Sequence, residues 1–472
     1  MADKRETKDG SSTIGLMARA VLTAGPAPAA AMKQAQLLLL DTLGCGLAGT
    51  QEAVAQAVWR TVSESGEAGG CAVIGREERT GVLGAILSNG AAIRVLDLND
   101  YIIAKAPNGE PESGGHPSDN IPVALAVGAA RGRSGRDVLE AIVVGYELYS
   151  RLQRAMDRGG TIDGVTVSGL VAPAIAGRLM ALNEGQLAHA LALGAARAVT
   201  PWIVRSGDIS AAKSIANAMV AQSGVQAALL AERGVTGPLA ILDDARGLGD
   251  LFGHRDKFHL SAPIEADSAI MHAHVKAYPC INTGQSAVAA ALKLHGMIEG
   301  RAADLARIEV TMADYKVTKR HQEDPGRIHP QSREAADHSF PFLVAVALID
   351  GALGVAQFEG ERWHDEAVKA LMAKIVMRRD ARWNARAPGT YPCSIRASNE
   401  SGSVFDVEVP YPPGFSQDGL DAAAVIEKFH AVTAPILTRE EQQRIVDRVM
   451  EFDHSLSADA LDEAIAIKGK LT

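Results

Sequence analysis

The sequence predicts a mostly α fold, built as a large all-helical domain and a smaller α+β domain. Three observations carry this. Apolar residues recur at helical spacing from about Ser12 to Leu251. No period-2 strand stands out before Leu260. Beyond it, alternating segments occur at 307–312 (RIEVTM), and at 393–397 and 403–409 around a polar turn. The expected domains are 1–262, 263–415 and 416–472, the last being C-terminal helices able to return to the helical domain.

In order along the chain, residues 31–47 (AMKQAQLLLLDTLGCGL) read as a helix, followed by helices at 81–97, 121–130, 137–156, 168–182 and 184–195. Residues 211–233 form another, with Ile215, Met219, Gln222, Val225 and Leu229 on one stripe and Gly234 as its stop. Ala and Gly recur on these helices, which lets axes approach closely. Later, 284–295 and 334–353 read as helices and 375–378 as a strand. The segment Asn399-Glu400-Ser401-Gly402 makes a hairpin, and Pro410, Pro412 and Pro413 end the sheet. Residues 419–468 are helical again.

Composition narrows the function. With 47 Lys and Arg against 56 Asp and Glu, the formal charge is −9, which argues against a nucleic-acid partner. The most apolar run, 340–357, is interrupted by Pro341 and Asp350, so no membrane span or membrane partner is expected. Cys45, Cys71, Cys280 and Cys393 make no disulfide framework and no CxxC pair, which suits a reduced, cytoplasmic setting. The first dozen residues mix acids and bases and read as a solvated tail. Aromatics are scarce at 4% of the chain, so the core is built from Ala, Leu, Val, Ile and Gly.

The densest chemistry lies in 96–120, LDLNDYIIAKAPNGEPESGGHPSDN. It offers Asp97, Asp100, Tyr101, Lys105, Glu110, Glu112, His116, Ser118 and Asp119. A polar loop between two buried helices is a common active-site position. The plainer reading is a surface loop with Ser118 or Asp119 as an N-cap. His116 is the side chain suited to moving protons near neutral pH. Lys213 is either a solvated lysine or, with Arg205 across RSGDISAAK, a carboxylate ligand. In 276–285 (KAYPCINTGQ) the chain runs from extended into a helix start at Thr283, Gly284 and Gln285, which is either an anion site or an ordinary capped turn. Cys280 has no His or Asn escort and reads as a buried structural thiol. Tyr315 follows the RIEVTM strand, and His338 lies in AADHSFPF; alone, each reads as a core or capping residue. His272 and His274 lack a third ligand, so no metal site is expected. No GxGxxG after a strand, P-loop, GxSxG or HExxH occurs.

Taken together, LLLLDTLGCGLAGT, LDLNDY…GGHPSDNIP, AIVVGYEL, GVQAALLAERGVTGP, KAYPC and ADHSFPFLVAVALIDG occur in the order and approximate spacing of one family. The chain resembles the MmgE/PrpD family over roughly 15–456. That family includes 2-methylcitrate dehydratase, cis-aconitate decarboxylase and iminodisuccinate epimerase. The resemblance implies a helical domain, an α+β lid domain and an active site between them. It also implies a small-molecule carboxylate substrate, no cofactor or iron–sulfur cluster, and a homodimer.

Matched residue by residue, it implies catalytic roles for His116, Asp97, Tyr101 and Tyr315, and substrate-binding roles for Lys213, His338 and Gln285. Tyr315 matches a tyrosine of the decarboxylase branch. Gln285 stands where methylcitrate dehydratases tend to carry Gln and the other branches His. Gly164 departs from a family histidine. The expected activity is acid–base dehydration of a 2-methylcitrate-like polycarboxylate, as part of propionate metabolism. Alternatives are an epimerase or isomerase, a decarboxylase of a related acid, and a non-catalytic helical binding protein.

Overall fold

The computed structural model describes residues 12–103, 114–156, 160–252, 268–386, 390–415 and 419–467. The first eleven residues, the expected boundary at 262, and Lys105, Glu110 and Glu112 lie outside the described residues.

The organising element is a helix with almost no polar face. AAAMKQAQLLLLDTLGCGLAG forms α2 (Ala29–Gly49), which buries nearly every residue from Ala31 to Gly49. A helix apolar all round has to be surrounded. Before it comes α1 (Thr13–Thr23); after it come α3 (Ala53–Glu64), α4 (Val82–Arg94), α5 (Ile121–Ala130) and α6 (Gly135–Ala155). Then α7 (Ser168–Leu179), α8 (Glu184–Ala195) and α9 (Ala212–Glu232) pack on one another, and α9 packs on α4. Where α2 meets α4, a Cβ on Gly49 would stand 1.9 Å from the Ala92 carbonyl oxygen, so only glycine permits that approach. Capping boxes fix two starts, Ser134 with Asp137 on α6 and Asn183 with Gln186 on α8.

The expected stripe on α9 coincides with its core face only in part, through Val225 and the partly buried Leu229. Met219 is 54% exposed, whereas Lys213, Ala216, Asn217, Val220, Ala221, Gly224 and Ala228 are buried. The small residues face α4, α7 and α8 because only they allow such short interhelical distances. Sequence also missed the short strands in this part. β1 (Cys71–Ala72) pairs with β2 (Arg79–Thr80), and β3 (Tyr101–Ile102) with β4 (Ala273–His274). Two residues cannot display a period of two.

The second part holds a four-stranded sheet of β5 (Leu305–Ala313), β6 (Ile375–Asp380), β7 (Cys393–Asn399) and β8 (Val404–Val409), in the order β6-β5-β7-β8. β5 and β6 are parallel and the other pairs antiparallel. α10 (Gln285–Met297) packs on β7 and β8. Short helices follow β5: α11 (Lys316–Glu323), α12 (Pro325–Ile328) and α13 (Arg333–Ala336). The helix expected over 334–353 is broken. Asp337 and His338 form a kink after α13, and α14 (Phe340–Asp350) restarts with Ser339 as N-cap, its Oγ accepting the Phe342 N–H at 3.3 Å. α15 (Glu366–Met372) and α16 (Arg382–Arg386) complete this part.

One hydrophobic core gathers residues from Ile14 to Val275 and again from Val425 to Ile467, the latter including α17 (Ala422–Thr433) and α18 (Arg439–Met450). A second, from Cys280 to Val409, lies between the sheet and α10 and α14. The fold is therefore mostly α with one sheet-bearing part, the class read from the sequence. Among the described residues, no single helix is long and apolar enough to cross a membrane. All four cysteines are buried and free.

Candidate active site

The site begins with Asp97, just past the end of α4. Its backbone is left-handed (φ 49°), and its N–H donates to the Arg94 carbonyl at 3.0 Å. This turn places a fully buried carboxylate among three cations. Arg94 Nη1 donates to Oδ1 at 2.7 Å, and Lys213 Nζ stands 3.0 Å from Oδ2. Lys276 Nζ donates to Oδ1 and, at 2.7 Å, to the Asp97 carbonyl. The neighbouring cations Arg94, Lys213 and Lys276 hold the Asp97 carboxyl well below the usual range despite its burial.

The kink before α14 adds Asp337 and His338. Lys213 Nζ donates to both Asp337 oxygens at 2.8 Å and lies 3.3 Å from His338 Nδ1, while His338 Nδ1 also pairs with Asp337. Burial and the Lys213 charge push His338 down to about 3, so it is neutral. Among the described residues, Asp97, Asp337 and His338 form the group close enough together to ligate a metal ion, but the Lys213 ammonium already bridges all three.

His116 stands at the start of the turn that leads into α5. Its Nδ1 is 2.5 Å from the Asp100 carbonyl, which can only accept, so the proton sits on Nδ1 and Nε2 is bare. Nε2 lies 3.9 Å from Asp97 Oδ1, beyond hydrogen-bond reach. Burial, then Arg94 and Lys276, hold the imidazole well below its usual pKa, so it is neutral. The His116 N–H donates to Tyr149 Oη at 3.2 Å. A Cβ on the preceding Gly115 would fall 1.9 Å from that same oxygen, which explains the glycine. Asp100 fastens the loop ends. Its Oδ1 takes the Ser118 hydroxyl at 2.5 Å, and its Oδ2 takes the Tyr146 hydroxyl at 2.7 Å. Burial pushes Asp100 up to about 7.

Asp97, His116 and His338 line a cavity of about 770 Å³, part of it open to solvent. The other walls include Tyr149, Asp163, Gly164, Trp202, Arg205, Thr283, Arg320, Arg327 and Tyr391, drawn from both parts of the chain. Residues 19–261 match the MmgE/PrpD N-terminal domain, and residues 278–452 match the MmgE/PrpD C-terminal domain. The chain belongs to the MmgE/PrpD family. It is 28% identical over 439 residues to the 2-methylcitrate dehydratase of Salmonella typhimurium, covering 88% of each chain. It is 26% identical over 441 residues to the 2-methylcitrate dehydratase of Escherichia coli, again covering 88% of each. Against the cis-aconitate decarboxylase of Mus musculus it is 26% identical over 444 residues, 89% of this chain and 86% of that one.

In this MmgE/PrpD protein the residues singled out from sequence fall into three groups. Asp97, His116 and His338 meet at the cavity. Lys213 sits behind it, buried, its ammonium taken up by Asp97, Asp337 and His338 instead of facing the open space. Tyr101, Tyr315 and Gln285 do not line the cavity. The Tyr101 hydroxyl is buried without a hydrogen-bond partner among the described residues, and its ring packs on His274. Tyr315 lies edge-on to Tyr391, which does face the cavity. Gln285 is spent on its own turn: Oε1 accepts from Ala277 and Tyr278 N–H at 3.0 and 3.1 Å, and Nε2 donates to the Tyr278 carbonyl at 2.9 Å and to Cys280 Sγ at 3.2 Å. Burial pushes the Cys280 thiol up, as expected of a structural cysteine. His274 is stacked on Phe415.

Sequence reading missed Arg94, Lys276 and Asp337 in the ion cluster and Tyr149, Arg320 and Arg327 on the walls. Arg94 had a signal, its i,i+3 spacing to Asp97. Lys276 opened a segment already under scrutiny. Arg320 and Arg327 had none, because two arginines on a short polar stretch look like solvated surface.

Proposed function

We propose that this protein is a cofactor-independent hydro-lyase that dehydrates a 2-methylcitrate-like polycarboxylate. The observation that carries this is the bare Nε2 of a neutral His116 at a cavity whose walls carry guanidinium groups. The family's dehydratase relatives support the choice of reaction. The hydrogen to be removed sits next to a carboxylate and is only weakly acidic, so the reaction needs a neutral base beside fixed positive charge. His116 Nε2 takes that proton. The C–H electron pair becomes the new C=C bond, the C–O bond on the adjacent carbon breaks, and the hydroxyl leaves as water after receiving a proton. Tyr149, whose hydroxyl touches the His116 backbone, is the donor best placed on the cavity wall; Tyr101 and Tyr315 lie a layer further back.

Burial first, then Arg94 and Lys276, keep His116 neutral until substrate arrives, and Asp97 holds those two cations in place. Anionic substrate then raises the imidazole's proton affinity at the moment it must accept. The test is incubation of the purified protein with 2-methylcitrate, citrate and cis-aconitate, following alkene absorbance and CO₂ together. Alkene without CO₂ is the expected result. CO₂ release would replace dehydration by decarboxylation, and a change in optical rotation alone would replace it by epimerisation.

A further inference from the structure

The cations of the site divide sharply by what already neutralises them. Arg94, Lys213 and Lys276 face Asp97, Asp119 and Asp337, charge for charge. On the outer wall, Arg205 is paired with Asp163 at 2.5 Å. Arg327 stands 3.5 Å from Asp324, donates to His321 Nδ1 at 2.8 Å and donates to the Arg205 carbonyl at 3.1 Å. His321 in turn reaches Thr283 Oγ1 at 2.8 Å, so this wall is braced. Arg320 is different. Its guanidinium lies 4.5 Å over the Trp202 ring, and among the described residues no carboxylate stands within ion-pair distance of it; Asp324 acts on it only from further off and is shared with Arg327. Trp202 and Arg320 both line the cavity, one from each part of the chain.

We infer that Arg320, laid on Trp202 and flanked by Arg205 and Arg327, is a carboxylate subsite that selects substrates carrying a terminal carboxylate beyond the reacting carbons. This rests on the proposed reading of the cavity as a polycarboxylate site and narrows it to tricarboxylates over dicarboxylates. A guanidinium fork matches a carboxylate with two parallel hydrogen bonds. The tryptophan face fixes the plane of that fork without neutralising its charge. The partly buried position makes the charge worth more than on open surface. Because the paired cations must first give up a carboxylate, the unpaired one captures the substrate's at least cost.

Calorimetric titration tests this without requiring turnover. The probes are propane-1,2,3-tricarboxylate and methylsuccinate, which is that acid with one terminal carboxyl removed. Neither carries a hydroxyl to eliminate. The wild-type protein is expected to prefer the tricarboxylate by about tenfold or more, the range of a hydrogen bond to a charged group. Arg320→Gln should bring the two within about twofold, and Arg320→Lys should keep part of the preference, since a point charge lacks the fork. Unchanged circular dichroism and melting temperature in both variants establish that the fold is intact. A wild-type preference that survives in Arg320→Gln overturns the subsite, as does a wild type with no preference. Failure of the proposed reaction reads differently: the tricarboxylate binds with the expected preference, yet no alkene forms from any hydroxy acid.

Discussion

The two sides of this cavity hold similar charges in opposite ways. Beside His116 lies a buried cluster in which Arg94, Lys213 and Lys276 share Asp97 with Asp119 and Asp337 close by. Across the cavity lies a wall in which Arg320 rests on an indole, with no carboxylate among the described residues at ion-pair distance. Buried cations locked to carboxylates have little left to offer a ligand, and they serve to fix positions and local potential. A half-buried unmatched cation does the reverse. The difference is between cations whose charge is met inside the protein and one whose charge is left for a ligand, which on the proposed reading separates chemistry from substrate choice.

The strongest way to break that division is to remove the hub of the inner cluster. Asp97→Asn leaves Arg94, Lys213 and Lys276 facing one another without their shared counter-charge, at an expected cost of ~3–5 kcal/mol in urea unfolding. An unfolding midpoint equal to wild type would mean that the cluster is not a positioning device. Next, His116→Ala should lower kcat by about 10²–10⁴-fold while leaving the helical circular dichroism and the tricarboxylate preference intact. Loss of that preference together with kcat would merge the two sides. The pH profile sharpens the same point: because His116 is held well below its usual pKa, the acid limb of kcat/KM should lie below pH 6.5.

A smaller effect concerns Asp100, whose folded pKa of about 7 exceeds the usual carboxylate value. Between those two values the folded protein binds a proton that the unfolded chain has released. Its contribution is therefore fully present in acid and is lost as pH rises toward 7. Asp100→Asn should flatten the fall in melting temperature between about pH 4 and pH 7, and an unchanged slope would show that the loop is fastened elsewhere. The smallest expected change is Gln285→Ala, which frees the turn at 277–280 for ~1–3 kcal/mol of stability. If it instead abolishes substrate binding at unchanged stability, Gln285 reaches the ligand after all.

The fold class was legible because long amphipathic and all-apolar helices and three alternating strands leave strong periodic traces. The short strands and the 337–338 kink left none, since a two-residue pair and a one-turn break are below any period. His116, Asp97 and His338 were legible from their residue types and from a family resemblance, and they converge. Lys213 and Gln285 show the limit of that reading. A sequence names a charged or polar side chain but not the partners that exhaust its donors. Arg320 shows the other limit: that no carboxylate among the described residues stands at ion-pair distance from it is something only packing reveals.

The larger core draws on two stretches of chain that flank the smaller one. Lys428 on α17 reaches back to Asp41 Oδ1 at 2.5 Å and to the Leu98 carbonyl at 2.8 Å, next to the loop that carries His116. During synthesis, the sheet-bearing part is therefore complete while α2 still waits for its last neighbours. The ribosome releases a segment that closes the first core only after the second can form. Such an order leaves Asp41 and the Leu98 carbonyl without their Lys428 contact until α17 emerges, so a nascent chain halted before α17 should be chaperone-bound and protease-sensitive along α2 even though its sheet has folded.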